Sequence, residues 1–173
     1  MAKIDLKKYI RDIPDFPKPG ILFKDITTLL KDPKAFRYSV DTIADKFKNK
    51  KIDLVVAVEA RGFVFGGAVA HKLKAGFIPV RKRGKLPWKT KSVTYQLEYG
   101  TDSLELHQDA IEPGNRVLIL DDLLATGGTA KAVAELVKEM QGEIVGMAFV
   151  VELGFCKGIE KLKDYHVVSL IKY

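Results

Sequence analysis

The run Val117-Leu118-Ile119-Leu120-Asp121-Asp122-Leu123-Leu124-Ala125-Thr126-Gly127-Gly128-Thr129 carries the densest chemistry in the chain. An apolar strand ends in two carboxylates, and a loop of small residues then turns into a helix. The first turn of a helix leaves backbone N–H groups unpaired and carries positive dipole, which suits a phosphate. Gly127 and Gly128 let the backbone approach that phosphate, and the Thr126 and Thr129 hydroxyls can donate to its oxygens. Two carboxylates beside a phosphate would repel it, so they need other work. Accepting hydrogen bonds from sugar hydroxyls is the natural one, with Mg²⁺ nearby as a further partner. The pattern implies a grip for a ribose 5-phosphate, against the plainer alternative of a capping Asp pair and a glycine turn. Two other phosphate signatures fail. Gly62 and Gly67 have Walker A spacing, but Ala68 and Val69 stand where Lys and Ser/Thr are required, and no Gly-x-Gly-x-x-Gly follows a strand.

A second chemical feature is cationic. Lys and Arg number 29 against 22 Asp and Glu, a net charge of +7. Arg81, Lys82, Arg83, Lys85, Lys89 and Lys91 supply six of those charges, and no acid occurs between Arg81 and Leu97. Basicity this local looks like a grip for a phosphate group rather than a broad nucleic-acid face. Trp88 to Lys91 and the spare cations Arg83, Lys89 and Lys91 carry no assignment. His71, His107 and His166 lack ligand spacing, so no metal is assigned to them. Cys156 reads as a small packing residue rather than a nucleophile.

These side chains need a scaffold, and the pattern predicts an α/β one. Ile4 to Arg11 reads as a short amphipathic helix closed by Pro14, and Phe16 to Phe23 as an extended, Pro/Gly-punctuated segment. Asp32-Pro33 supplies an N-cap and a first-turn proline, after which Phe36, Val40, Ile43, Ala44 and Phe47 recur at helical spacing. Ile52 to Val58 reads as a buried strand, Glu59 to Gly62 as a turn into a helix ending near Lys74, and Gly76 to Val80 as the next strand. Arg81 to Lys91 follows as a loop, then a hairpin from Val93 to Tyr99 and Ser103 to His107 around Gly100. Asn115 to Leu120, Glu143 to Val151 and His166 to Ile171 complete the strands. The helix after Gly128 carries Val133, Leu136, Val137 and Met140 on one face. Strands alternating with helices imply a mostly parallel sheet flanked by helices, with ligands at the carboxyl ends of the strands.

Length and composition agree. The 173 residues are 47% hydrophobic and 29% charged, the profile of one globular domain with a core of its own. No repeat or linker divides them. A single cysteine excludes an intrachain disulfide and suits a reducing compartment, so a cytoplasmic location is expected. The run from Met1 to Lys8 has no apolar core of a signal peptide, and no stretch approaches the ~18 apolar residues that cross a bilayer. The expected partners are therefore small molecules, with no membrane and no nucleic acid.

Asp121 to Thr129 resembles the phosphoribosyl pyrophosphate motif of the type I phosphoribosyltransferases. The resemblance continues in Phe16-Pro17-Lys18-Pro19-Gly20 through Phe23-Lys24-Asp25-Ile26, and in Val58-Glu59-Ala60-Arg61-Gly62-Phe63. It extends through Arg81-Lys82-Arg83-Gly84-Lys85-Leu86-Pro87 and Leu97-Glu98-Tyr99-Gly100. Together these segments are similar to the adenine-specific branch of that family.

The resemblance implies one domain over 1–173, with a small N-terminal hood over about 1–32 and a mobile cationic loop and hairpin over about 81–107. It implies transfer of ribosyl 5-phosphate from phosphoribosyl pyrophosphate to adenine, giving AMP and pyrophosphate, with Mg²⁺ and as a homodimer. Ala125, Thr126, Gly127, Gly128 and Thr129 would hold the 5′-phosphate. Asp121 and Asp122 would take the ribose hydroxyls, and either could touch Mg²⁺, which the substrate mainly holds. Arg61 would bind pyrophosphate beside a strained Ala60–Arg61 peptide, with Arg81 and Lys85 adding charge, partly across the dimer interface. Glu98 would act as general acid/base at the purine N7, with Tyr99 adjacent. Phe23 and Leu123 would sandwich the base while the backbone around Leu22 and Lys24 reads its edge. The rival readings are a sibling transferase using another purine and a regulator that senses phosphoribosyl pyrophosphate or purines. The second would need a DNA-binding module for which this length leaves no room.

Overall fold

The computed structural model describes residues 4–97 and 100–173. In chain order its strands are β1 (Arg11–Ile13), β2 (Phe23–Asp25), β3 (Leu54–Val58), β4 (Gly76–Lys82), β5 (Thr90–Leu97), β6 (Gly100–His107), β7 (Arg116–Leu124), β8 (Glu143–Glu152) and β9 (Val167–Lys172). Its α-helices are α1 (Thr27–Lys31), α2 (Pro33–Phe47), α3 (Arg61–Leu73) and α4 (Gly128–Glu139). β3 and β7 lie side by side at the middle of a seven-stranded sheet of order β5-β6-β4-β3-β7-β8-β9. The β4-β3-β7-β8-β9 portion is parallel, and the β5–β6 hairpin adds on antiparallel through Arg81↔Glu105 and Lys82↔Leu104.

Alternation along each strand builds two cores. Val55, Leu118 and Leu120 face Phe47, Phe65 and Val69 of α2 and α3, whereas Val56, Val117 and Ile119 face Val133, Leu136 and Val137 of α4. Each large side chain so buried contributes about 1.5–3 kcal/mol. Helix α3 leaves β3 toward one face and α4 leaves β7 toward the other. The carboxyl ends of these adjacent strands therefore flank a topological switch point, the place where open α/β sheets hold ligands.

The Asp32 cap forms as expected, its Oδ1 accepting from the Lys34 and Ala35 amides at 3.0 and 2.8 Å. Other boundaries are corrected. The helix expected over Ile4 to Arg11 shrinks to a 3₁₀ turn, Leu6–Tyr9, because the chain then enters β1. Only the turn's Leu6 is buried, and pairing with distant β2 overrides a weak local periodicity. β1 and β2 form their own antiparallel ribbon, with Arg11 opposite Asp25 and Asp12 opposite Lys24. The cationic segment is not all loop. Arg81 and Lys82 end β4, while Thr90, Lys91 and Ser92 pair with His107, Leu106 and Glu105. β7 runs past Leu120 to Leu124, because β8 is long enough to pair with it as far as Leu124↔Glu152. Asp121 and Asp122 are thus strand residues.

Candidate active site

Just past the end of β3 the Glu59 N–H donates to the Val80 carbonyl at 2.9 Å, which ties the turn to β4. Its carboxylate collects the base of the cationic segment. Oε1 accepts from the Lys82 amide at 2.6 Å, and Oε2 accepts from Arg81 Nη2 and Lys85 Nζ, both at 3.2 Å. Burial pushes the Glu59 pKa up, but the Lys82 amide, Lys85 and Arg81 outweigh it and hold the carboxyl below its ordinary value.

The unusual peptide lies one bond earlier than expected. Glu59–Ala60 is cis, and Ala60–Arg61 is not. The reversal falls between a strand-bonded Glu59 and Ala60, which already has helical backbone as the N-cap of α3. Ala60 caps with no side-chain bond, so the first N–H groups of this 13-residue helix face the site uncapped. Arg61 follows, its Nε 2.9 Å from Asp122 Oδ2 and its guanidinium carbon 5.3 Å from the centre of the Phe23 ring. Arg61 therefore pairs across the switch point with Asp122, and it is Arg81 and Lys85 that pair with Glu59.

Asp121 and Asp122 stand at the end of β7, where α3 approaches closely. A Cβ on Gly62 would sit 2.8 Å from Asp121 Oδ1, so a larger residue there would push the carboxylate aside. Desolvation, then the charge of Asp122, pushes the Asp121 carboxyl well above the ordinary range. Desolvation also raises Asp122, with Arg61 opposing it. Such a pair is costly unless a ligand or cation uses it, which is the mark of a working site.

Next in the chain, Ala125 to Thr129 wraps the start of α4. Gly127 is the N-cap at φ +76°, and its Cβ position would fall 2.5 Å from the Gly158 carbonyl oxygen. Gly158 in turn packs against the Ala125 carbonyl so tightly that a Cβ there would overlap it. The loop is thus moulded by a segment thirty residues downstream. The Thr129 hydroxyl donates to the Tyr95 hydroxyl of β5 at 3.4 Å. A cavity of about 260 Å³ joins these parts, lined by Glu59 to Arg61, Lys82, Tyr95 and the continuous run Asp121 to Ala130.

The structure thus gathers Arg61, Asp121, Asp122, Leu123 and Ala125 to Thr129 around one cavity, with Arg81 and Lys85 on its Glu59 rim. Phe23 joins through Arg61, and Leu22 is exposed. The Lys24 side chain is buried away against Asp12, at 2.7 Å, so only its backbone is free to meet a base. Glu98 and Tyr99 lie outside the described residues. Sequence reasoning missed Glu59 as the rim's anchor, Tyr95 and Gly158. The alternating pattern of β5 offered a signal for Tyr95, whereas nothing local marks Gly158. Among the described residues no group of three or more His, Cys, Asp or Glu could hold a metal by itself.

Comparison with known proteins agrees with this geometry. The phosphoribosyl transferase domain family matches residues 25–172. An adenine phosphoribosyltransferase of Koribacter versatilis is 62% identical over 168 residues, covering 97% of this chain and 92% of the relative. The crystal structure of adenine phosphoribosyltransferase from Thermoanaerobacter pseudethanolicus superposes with a TM-score of 0.94 at 55% identity, covering 98% of both chains. That of the Saccharomyces cerevisiae enzyme, complexed with adenine and an imino-altritol bisphosphate, does so at 0.90 and 41% identity, covering 96% of both chains. With a family match over residues 25–172 and relatives of this identity over nearly the whole chain, the chain belongs to the phosphoribosyltransferases and, within them, to the adenine phosphoribosyltransferases.

Proposed function

We propose that this chain transfers the 5-phosphoribosyl group of phosphoribosyl pyrophosphate to N9 of adenine, releasing AMP and pyrophosphate, in purine salvage. The observation that carries the reading is the meeting of two helix N-termini around one acidic pair. The α4 cradle suits the 5′-phosphate, the α3 terminus with Arg61 suits the pyrophosphate, and Asp121 and Asp122, lining the same cavity, suit the ribose hydroxyls.

Residue roles follow from charge. Breaking the bond from C1′ to pyrophosphate builds positive charge on the ribose, which nearby carboxylates tolerate, and negative charge on the leaving group. Arg61, Arg81 and Lys85 are placed to stabilise the latter. Asp121 and Asp122 offer hard oxygens to a cation that takes most of its ligands from phosphates, which fits Mg²⁺. When bound, Mg²⁺ supplies further charge neutralisation to the departing pyrophosphate. Phe23 and Leu123 flank the base, the Leu22 to Lys24 backbone reads its edge, and Glu98, beside Tyr99, serves its N7 as acid/base.

The domain is one unit over 1–173. Its hood spans about 1–32, and its loop and hairpin of about 81–107 cover the site and exclude water. We infer a cytoplasmic homodimer in which part of the cationic loop serves the neighbouring subunit, with no nucleic-acid or membrane partner. Among the described residues no helix is long and apolar enough to cross a membrane.

Pyrophosphate release with adenine, guanine and hypoxanthine tests the reading. Adenine presents an amino donor where the others present a carbonyl, and a site built on hydrogen bonds rejects such a mismatch by roughly 10⁴. Comparable kcat/KM for adenine and hypoxanthine would overturn adenine specificity while leaving a purine transferase. Release with none of the three would overturn the enzyme.

A further inference from the structure

Phe23 and Lys24 are neighbours on β2, and a strand sends successive side chains to opposite faces. Phe23 faces Arg61, and Lys24 turns into the body of the protein with 8% of its surface exposed. A lysine so buried needs partners. It has two, Asp12 Oδ1 at 2.7 Å and the face of the Tyr173 ring, whose centre is 3.9 Å from Nζ.

The two partners do different work. Asp12 sits directly opposite Lys24 in the β1–β2 ribbon, so that ion pair ties the ribbon only to itself. A two-stranded ribbon alone is marginal in water. Tyr173 belongs to the main body. Its N–H donates to the Glu152 carbonyl at 3.0 Å and its carbonyl accepts from the Gly154 N–H at 2.8 Å, fixing the ring at the end of β8. Lys7 Nζ, from the 3₁₀ turn, lies 5.0 Å from the same ring centre. One aromatic ring thus gathers a cation from each of two N-terminal elements.

We propose that Tyr173 is a positioning residue for the base-binding strand. Its ring holds the Lys24 ammonium and so sets where β2 presents Phe23 and the Leu22 to Lys24 backbone to a planar purine. This rests on the adenine-transferase reading for its kinetic consequence, though not for its structural one. The ribose phosphate cradle lies on other elements and is untouched by the clamp.

Steady-state kinetics with adenine and phosphoribosyl pyrophosphate varied separately, on the full chain, test it. Tyr173→Leu removes the aromatic face, and the adenine KM should rise about five- to tenfold while kcat and the other KM stay within about twofold. Tyr173→Phe keeps the face and should retain the wild-type adenine KM. Lys24→Met removes the cation while keeping an apolar stem, and should reproduce the adenine defect even if Tyr173→Leu folds poorly. Amide hydrogen exchange at Phe23 to Asp25 should speed up in Tyr173→Leu and not in Tyr173→Phe, a readout independent of any base. An unchanged adenine KM in both Tyr173→Leu and Lys24→Met, or a parallel rise in both KM values, would overturn the clamp. A wild-type protein inactive on adenine refutes the activity instead, and the exchange rates still decide for or against the clamp.

Discussion

Replacing Gly158 by Ala should disable the proposed 5′-phosphate cradle from outside it. The added Cβ would overlap the Ala125 carbonyl oxygen and sit 2.8 Å from the Gly127 nitrogen and 2.9 Å from the Thr126 carbonyl carbon. All three are backbone atoms, so no rotamer change relieves the clash. Returning the Gly127 nitrogen to ordinary contact at 3.4 Å needs a retreat of about 0.6 Å, in the peptide that caps α4. Misplacement on the 1 Å scale costs up to about 100-fold in rate, so kcat/KM for phosphoribosyl pyrophosphate should fall roughly 10- to 100-fold. Overpacking should also cost about 1–3 kcal/mol of stability. Gly67→Ala is the control, because its Cβ would meet nothing within 4 Å and it lies inside α3. That change should gain about 0.5–1 kcal/mol with unchanged kinetics. Initial rates with each substrate varied, calorimetric titration with ribose 5-phosphate, and thermal melts read all of these. Wild-type affinity for ribose 5-phosphate in Gly158→Ala would refute the claim that the downstream segment moulds the cradle.

Other outcomes follow from the charges. Asp121→Asn and Asp122→Asn should each lose tenfold or more in kcat/KM, about 1.5–3 kcal/mol of hydrogen bonding to a charged acceptor, and melt higher than wild type. The melting gain follows from the sign of the shift. Burial raises both carboxyls, so their ionised forms weigh against the fold at neutral pH and a neutral amide relieves that. Asp25 behaves oppositely. The Thr27 amide and Arg11 lower it from 3.8 to about 2, so its stabilisation is present above pH ~4 and lost as pH falls through the folded value. With Arg11 half-exposed, acid titration of Asp25→Asn against wild type should show a difference of about 1–2 kcal/mol at neutral pH that shrinks below pH ~4 and vanishes only below about pH 2. Chelation should abolish turnover. Mixing Arg81→Ala with Asp121→Ala chains should restore activity, and no recovery in proven mixed dimers would place Arg81 in its own chain's site.

What the sequence disclosed was whatever local physics decides. The Asp32-Pro33 cap, the β-branched run of β3 and the strand–loop–helix around Asp121 are written in consecutive residues, and each formed, though β3 begins at Leu54 rather than Ile52 and β7 runs past Leu120 to Leu124. What it concealed depends on distant partners. Arg11 to Ile13 shows nothing that demands a strand until Lys24 and Asp25 lie opposite. Leu123 and Leu124 remain in β7 only because β8 is long enough to receive them. Gly158 looks like any turn glycine, and its role exists only through the carbonyl of Ala125.

Under the proposed function, the pairing of Arg61 with Asp122 gives substrate capture the character of an ion exchange. Pyrophosphate entering at α3 does not meet a bare guanidinium. It displaces a carboxylate, and that carboxylate, buried and 5% exposed, then loses its counter-charge and needs a hydrogen-bond donor. Ribose hydroxyls are such donors. The two halves of one substrate thereby compensate each other, so pyrophosphate alone and ribose 5-phosphate alone should each bind far more weakly than their joined form predicts by simple division. Arg81 and Lys85 repeat the exchange with Glu59, which makes the affinity less sensitive to salt than three free cations would be. On the proposed function, affinity is thereby reserved for the intact, activated sugar.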